Sequence, residues 1–164
     1  MITLITGGVK AGKSRRALDL GLRDFPRPIT FIATAEKLDR EMDLRISRHQ
    51  EERRGLGGFV TVEEPLALDA AIAGVEYAIV DCIPMWVNNL IFYGREDVFS
   101  DLLDRFIRGI RNCIIVTNET GLGVIPFDEG IRRYNTLLAE ANRRIAGAAD
   151  VVELMIAGLS LRLK

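Results

Sequence analysis

Residues 2–14 read Ile2-Thr3-Leu4-Ile5-Thr6-Gly7-Gly8-Val9-Lys10-Ala11-Gly12-Lys13-Ser14, and their reading decides the fold. Ile2 to Thr6 is a β-branched, apolar run suited to a buried strand. Gly7-x-x-x-x-Gly12-Lys13-Ser14 follows at once and leads into a helical pattern. Strand, glycine loop and helix in that order make a phosphate-binding loop. Glycines let backbone N–H groups turn inward around phosphate oxygens without a Cβ in the way. The helix N-terminus adds the positive end of its dipole. Lys13 can reach β- and γ-phosphates, and the Ser14 hydroxyl can ligate Mg²⁺. The loop therefore points to a nucleoside triphosphate. The competing reading is a glycine-rich turn that happens to contain Lys-Ser.

Composition narrows the class. The chain has 164 residues, 48% hydrophobic and 27% charged, enough for one domain, 1–164, with a substantial core. A formal net charge of −1 argues against a broad nucleic-acid surface. No apolar run approaches the roughly 20 residues of a membrane span, and the N-terminus carries no secretory signal pattern. Cys82 and Cys113 lie in apolar strand-like segments, which reads as two buried thiols in a reducing cytoplasm. A metal cage would need more ligands than this chain offers, because His49 is its one histidine.

Strand-like runs alternate with helical patterns along the chain. Strands are expected at Ile2–Thr6, Ile29–Thr34, Phe59–Val62, Tyr77–Cys82, Cys113–Thr117 and Val151–Ile156, with an edge strand at Ser160–Leu163. Helices are expected at Lys13–Arg23, Glu36–Arg54, Leu66–Ala73, within Pro84–Gly109, and at Asp128–Gly147. Such alternation indicates an α/β fold, a mostly parallel sheet covered on both faces. Tyr77-Ala-Ile-Val-Asp81 is an apolar strand ending in an acid. Beside a phosphate loop, Asp81 suits the Mg²⁺ shell; alternatively it caps the helix that begins near Pro84.

His49 sits in the Glu36–Arg54 helical pattern. At about 100° per residue, Met42, Ile46 and His49 fall within roughly 80° of Leu38, on one apolar stripe. Arg45 and Arg53 lie one turn before and after it. Two guanidiniums beside an imidazole attract phosphate and disfavour the imidazolium, and a neutral imidazole is what a nucleophile needs. The plainer reading is a half-buried histidine on an amphipathic helix. Asn118-Glu119 leaves an apolar strand for a glycine loop, which suits either a substrate-facing position or a simple connector.

Several segments together carry a more specific signal: Thr6 to Ser14, Phe31-Ile-Ala-Thr-Ala35, Leu38-Asp-Arg-Glu-Met-Asp-Leu-Arg-Ile-Ser-Arg-His49, Thr61-Val-Glu-Glu-Pro65, Val80-Asp-Cys82 with Trp86-Val-Asn-Asn-Leu90, Thr117 to Pro126, and Ala149-Asp150 with Ala157 to Lys164. From end to end the chain resembles the bifunctional adenosylcobinamide kinase / adenosylcobinamide-phosphate guanylyltransferase family of cobalamin biosynthesis. The resemblance implies a P-loop NTPase fold of RecA-like, three-layer form. It implies phosphorylation of adenosylcobinamide with ATP or GTP, then transfer of GMP from GTP to that phosphate through a GMP–histidine phosphoramidate. By resemblance His49 is that histidine and Lys13 assists catalysis. Nucleotide contacts fall on Gly7, Gly8, Val9, Lys10, Ala11, Gly12, Lys13 and Ser14, on Ala33, Thr34 and Ala35, on Gln50, Glu51, Glu52 and Arg53, and on Glu63 and Asp81. Mg²⁺ is expected on Ser14 and Asp81. A cytoplasmic homo-oligomer is implied, a trimer with nucleotide sites near subunit contacts.

The chain departs from the family pattern in its last long helix, where Asn135-Thr136, Ala139 and Arg143 replace expected residues and Asn142 remains. Trp86 and Asn89 are open to two roles, corrinoid contact or subunit packing, with packing favoured for Trp86. Asp81 and Glu119 are positional candidates for a kinase base. A monofunctional small-molecule kinase that uses the phosphate loop without His49 is the alternative activity.

Overall fold

The computed structural model describes residues 1–36 and 40–164, the side chains of Glu41 and Arg45 excepted. Leu38, Asp39 and the Arg45 side chain, all invoked above, thus lie outside the described residues. Among the described residues, seven strands, β1 (Ile2–Gly7), β2 (Ile29–Ala33), β3 (Phe59–Glu63), β4 (Tyr77–Asp81), β5 (Asn112–Val116), β6 (Val151–Ile156) and β7 (Leu159–Arg162), form one sheet in the order β3-β2-β4-β5-β1-β6-β7. Every pairing is parallel except β6–β7. The helices are α1 (Lys13–Asp24), α2 (Arg40–Leu56), α3 (Leu68–Ile72), α4 (Ile83–Phe92), α5 (Phe99–Gly109) and α6 (Glu129–Ala148).

Strand periodicity divides the core in two. Ala78 and Val80 of β4, with Cys113 and Ile115 of β5, face the layer built by α3, α4, α5 and α6, around Trp86, Leu103, Phe106, Leu138 and Ile145. Ile79, Ile114 and Val116 face the other way, onto Ala17, Leu18 and Leu20 of α1. Three layers result, as alternation of strands and helices predicts.

Several expected boundaries shift for local reasons. The stretch expected to hold a helix within Pro84–Gly109 contains two. Gly94, at φ 62, ends α4 in a left-handed turn, with the Arg95 amide donating to Leu90 O at 2.7 Å. Helix α3 starts at Leu68 rather than Leu66 because Glu64 Oε1 accepts from the amides of Leu66 and Ala67, making a turn first. Glu36 stands outside helix, and α2 is described from Arg40. Cys113 is buried as expected, whereas Cys82 is only half-buried, because it lies just past the end of β4.

Candidate active site

The phosphate loop is shaped by steric demand at its first glycine. Gly7 has φ 143, and a Cβ there would sit 2.3 Å from Met155 O on the neighbouring β6. Gly12, at φ 94, is the N-cap of α1. Between them Gly8, Val9 and Lys10 are exposed, and Ala11 N donates to Gly8 O at 3.3 Å. Lys13 is buried and directs its ammonium back over the loop, donating to Gly7 O at 3.0 Å and Gly8 O at 2.5 Å. Ser14 is half-buried in the first turn of α1.

A second locus forms one strand over. Glu63, Ala33 and Asp81 pair in register across β3, β2 and β4, so they form a row at the carboxyl ends of three parallel strands. In a parallel α/β sheet that edge is where ligands bind. Helix α2 lies over the row. His49, Gln50 and Arg53 from α2 share one cavity with Ala33, Ala35, Glu63 and Asp81, walled by Phe31, Met42, Ile46, Cys82 and Met85. The stripe of Met42, Ile46 and His49 thus faces the sheet, as its helical spacing predicts. Phe31 was not foreseen; its signal is the two-residue step to Ala33, which puts both on one face of β2.

Arg53 is buried, its guanidinium 4.0 Å from the centre of the Phe31 ring. Burial lowers its pKa, and Asp81 and Glu63 oppose that by favouring the charged form. Its Nε has no hydrogen-bond partner among the described residues. Gln50 Nε2 donates to Glu63 Oε1 at 2.8 Å, tying α2 to the end of β3. The cavity wall therefore presents an imidazole, a buried guanidinium and two carboxylates, a set able to hold a phosphate and a polar base together.

Not all expected residues meet there. None of Gly7 to Ser14 lines the His49 cavity, so loop and histidine form neighbouring loci. Glu51 and Glu52 are exposed, and Glu52 Oε1 instead accepts from Arg15 at 3.3 Å, linking α2 to α1. Thr34 is fully buried and points away from the cavity that Ala33 and Ala35 line. Asp81 does not cap α4: the N-cap is Cys82, and no side chain caps it.

Trp86 and Asn89 are internal, each 0% exposed, so neither contacts a corrinoid or another subunit directly. Trp86 Nε1 donates to Leu66 O at 2.9 Å. Glu119 turns its carboxylate onto its own loop, accepting from Gly121 N at 2.7 Å, while its amide donates to Gly7 O at 3.2 Å. Asn142 braces the same strand end, accepting from Thr117 Oγ1 at 2.7 Å and donating to Asn118 O at 2.9 Å.

Ser14 and Asp81 are hard oxygen donors of the kind Mg²⁺ takes. Among the described residues no three His, Cys, Asp or Glu cluster as a protein-only metal cage.

Comparison with known proteins agrees with this geometry. Two solved structures share the fold: a KaiC-like protein from Pyrococcus horikoshii, at TM-score 0.51 and 18% identity over 93% of this chain and 69% of its own, and the flagellar accessory protein FlaH from Methanocaldococcus jannaschii, at TM-score 0.54 and 15% identity over 99% and 77%. They support a RecA-like P-loop architecture and nothing finer. The bifunctional adenosylcobalamin biosynthesis protein CobP of Pseudomonas aeruginosa is 35% identical over 100% of this chain and 98% of its own. Its counterpart CobU of Salmonella typhimurium is 31% identical over the full length of both. The model of the cobinamide kinase / cobinamide phosphate guanyltransferase family matches residues 3–163, and with these full-length relatives it shows that the chain belongs to that family.

Proposed function

We propose that this protein, acting as one unit over residues 1–164, phosphorylates adenosylcobinamide and then guanylylates the product through His49. The observation that carries the reading is the cavity in which His49 stands with Gln50, Arg53, Glu63 and Asp81. In the transferase half, an imidazole nitrogen of His49 attacks the α-phosphorus of GTP and pyrophosphate leaves. A cobinamide phosphate oxygen then attacks the same phosphorus, and the P–N bond breaks to return His49. Splitting the transfer into two displacements avoids one direct encounter between two anions. Arg53 offsets charge on the phosphates.

In the kinase half, the aminopropanol hydroxyl of adenosylcobinamide attacks the γ-phosphorus of ATP or GTP bound on Gly7 to Ser14; the β–γ P–O bond breaks, the nucleoside diphosphate leaves and the hydroxyl proton passes to solvent. Lys13 exchanges its carbonyl partners for phosphate oxygens. Ser14 and Asp81 would hold Mg²⁺, which would supply charge neutralisation to the phosphates. Ala33, Ala35, Gln50 and Glu63 complete the nucleotide contacts, and Glu51 and Glu52 flank them on the exposed side of α2.

The separation of loop and cavity makes α2 the moving part: for His49 to meet the α-phosphorus of a nucleotide seated on the loop, the helix shifts toward it. Among its described residues α2 buries only Arg53, so little packing opposes that shift. The protein works as a homo-oligomer, a trimer, in the cytoplasm, where Cys82 and Cys113 remain reduced. A nearly fully exposed apolar run, Leu122, Val124, Ile125 and Phe127, supports subunit contact.

The test is GTP tagged at its α-phosphate. After denaturation the tag stays on wild type, is acid-labile and alkali-stable, and is absent from His49→Ala. An untagged wild type that binds GTP with Mg²⁺ would leave a simple kinase.

A further inference from the structure

Thr34 lies between two residues of the His49 cavity, yet every polar group it has is already bonded within the protein. Its amide donates to Asp81 O at 3.2 Å. Its hydroxyl accepts from Cys82 N at 2.9 Å and donates to Cys82 O at 2.7 Å. Its carbonyl accepts from Asn89 Nδ2 at 2.8 Å. The residue is 0% exposed. Just past the end of β2, it is thus bonded to Cys82, the N-cap of α4, and to Asn89 within α4, while Ala33 and Ala35 line the cavity.

Asn89 extends the same network. Its Nδ2 also donates to Pro65 O at 3.1 Å. Both partners are carbonyls, which only accept, so the amide orientation follows from the bonds themselves. Glu64 N donates to Ala33 O at 2.9 Å, closing the link between β2 and the chain leaving β3. The bonds thus join the ends of the three strands that carry Glu63, Ala33 and Asp81. These are the residues that face His49.

We infer that Thr34 and Asn89 are positioning residues: a buried brace on the far side of the sheet that sets the spacing of Glu63, Ala33 and Asp81 against His49. Thr34 acts without touching nucleotide. This departs from the nucleotide-contact role that resemblance gives Thr34, and it rests on the assignment of His49 made above. Because the brace is rigid and dry, its loss displaces groups at the reacting phosphorus more than it weakens ground-state binding.

The experiment is single-turnover labelling of His49 by α-tagged GTP, with GTP affinity measured separately at equilibrium. Thr34→Val keeps the shape and removes the hydroxyl; Thr34→Ser keeps the hydroxyl. Thr34→Val is expected to lower the limiting rate at saturating GTP by about tenfold or more, with Kd for GTP changed less than about threefold. Thr34→Ser is expected to restore the rate to within about threefold of wild type. If Thr34→Val does not fold, Asn89→Ser carries the same expectation. A limiting rate within threefold of wild type, or a loss of GTP affinity as large as the loss of rate, overturns the inference. If wild type itself takes no label, the His49 assignment fails separately, and the same split is read in the phosphoryl-transfer rate.

Discussion

Lys13 is held against Gly7 O and Gly8 O by the loop it serves, so its charge already sits where phosphates must come. Lys13→Ala is expected to lower the phosphoryl-transfer kcat by about 10² to 10³, as for loss of one preorganised electrostatic group, measured with saturating nucleotide. His49→Gln is expected to abolish α-tag retention and guanylyl transfer while phosphoryl transfer continues, read by assaying the halves separately. Gly7 shows the steric side of the same loop. Gly7→Ala places a Cβ against Met155 O and demands φ 143 of an L-residue. It should cost about 3 kcal/mol or more, roughly 10 °C in Tm, by thermal melting. The loop was legible as sequence because its chemistry is local: each residue needed is within eight positions of the next. The burial of Thr34 was not legible, for the complementary reason. Its neighbours in sequence line the cavity, but its own partners, Cys82 and Asn89, are distant in sequence and come from another strand end and another helix.

The clearest contact between elements is the one from α1 to β6. Arg16 meets Glu153 through two bonds of 2.9 Å, with the carboxylate side chain 12% exposed. Hydrogen bonding from Arg16 holds the Glu153 carboxyl below its ordinary value despite burial. A folded pKa below the unfolded one means the stabilisation is present above the unfolded glutamate value, about 4.3, and is lost as pH falls through the folded value. Glu153→Gln should therefore cost about 1–3 kcal/mol near neutral pH, and its difference from wild type should shrink in acid, measured by urea unfolding at a series of pH values. Helices α2 and α6 differ in the opposite sense. α6 buries Leu138, Ala141 and Ile145, whereas α2 buries only Arg53 among its described residues. Amides of α2 are expected to exchange faster than those of α6, and to slow when GTP is added, by hydrogen-exchange mass spectrometry. The strands were legible from their short apolar runs. The break at Gly94 and the delayed start of α3 were not, because each depends on which amide finds which acceptor.

At the scale of the molecule, Val124 is 93% exposed and lies within an apolar run that also exposes Leu122, Ile125 and Phe127. If this run forms the subunit contact proposed above, Ile125→Asp is expected to shift the protein toward monomer in light scattering, since a charge is costly to bury at such a contact. By itself the sequence determined the phosphate loop, the alternation of strands and helices, and membership of the cobinamide family, because these are written in adjacent residues or regular periods. It also placed His49 on the apolar stripe of its helix. Tertiary structure alone decided what that stripe meets. Register between parallel strands aligned Glu63, Ala33 and Asp81 beneath α2, and packing of α4 on the sheet bound Thr34 to Cys82 and Asn89 and sank Trp86 and Asn89 into the core. Side-chain direction in a strand is set by pairing with its neighbours, and those neighbours are chosen by the packing of the whole sheet.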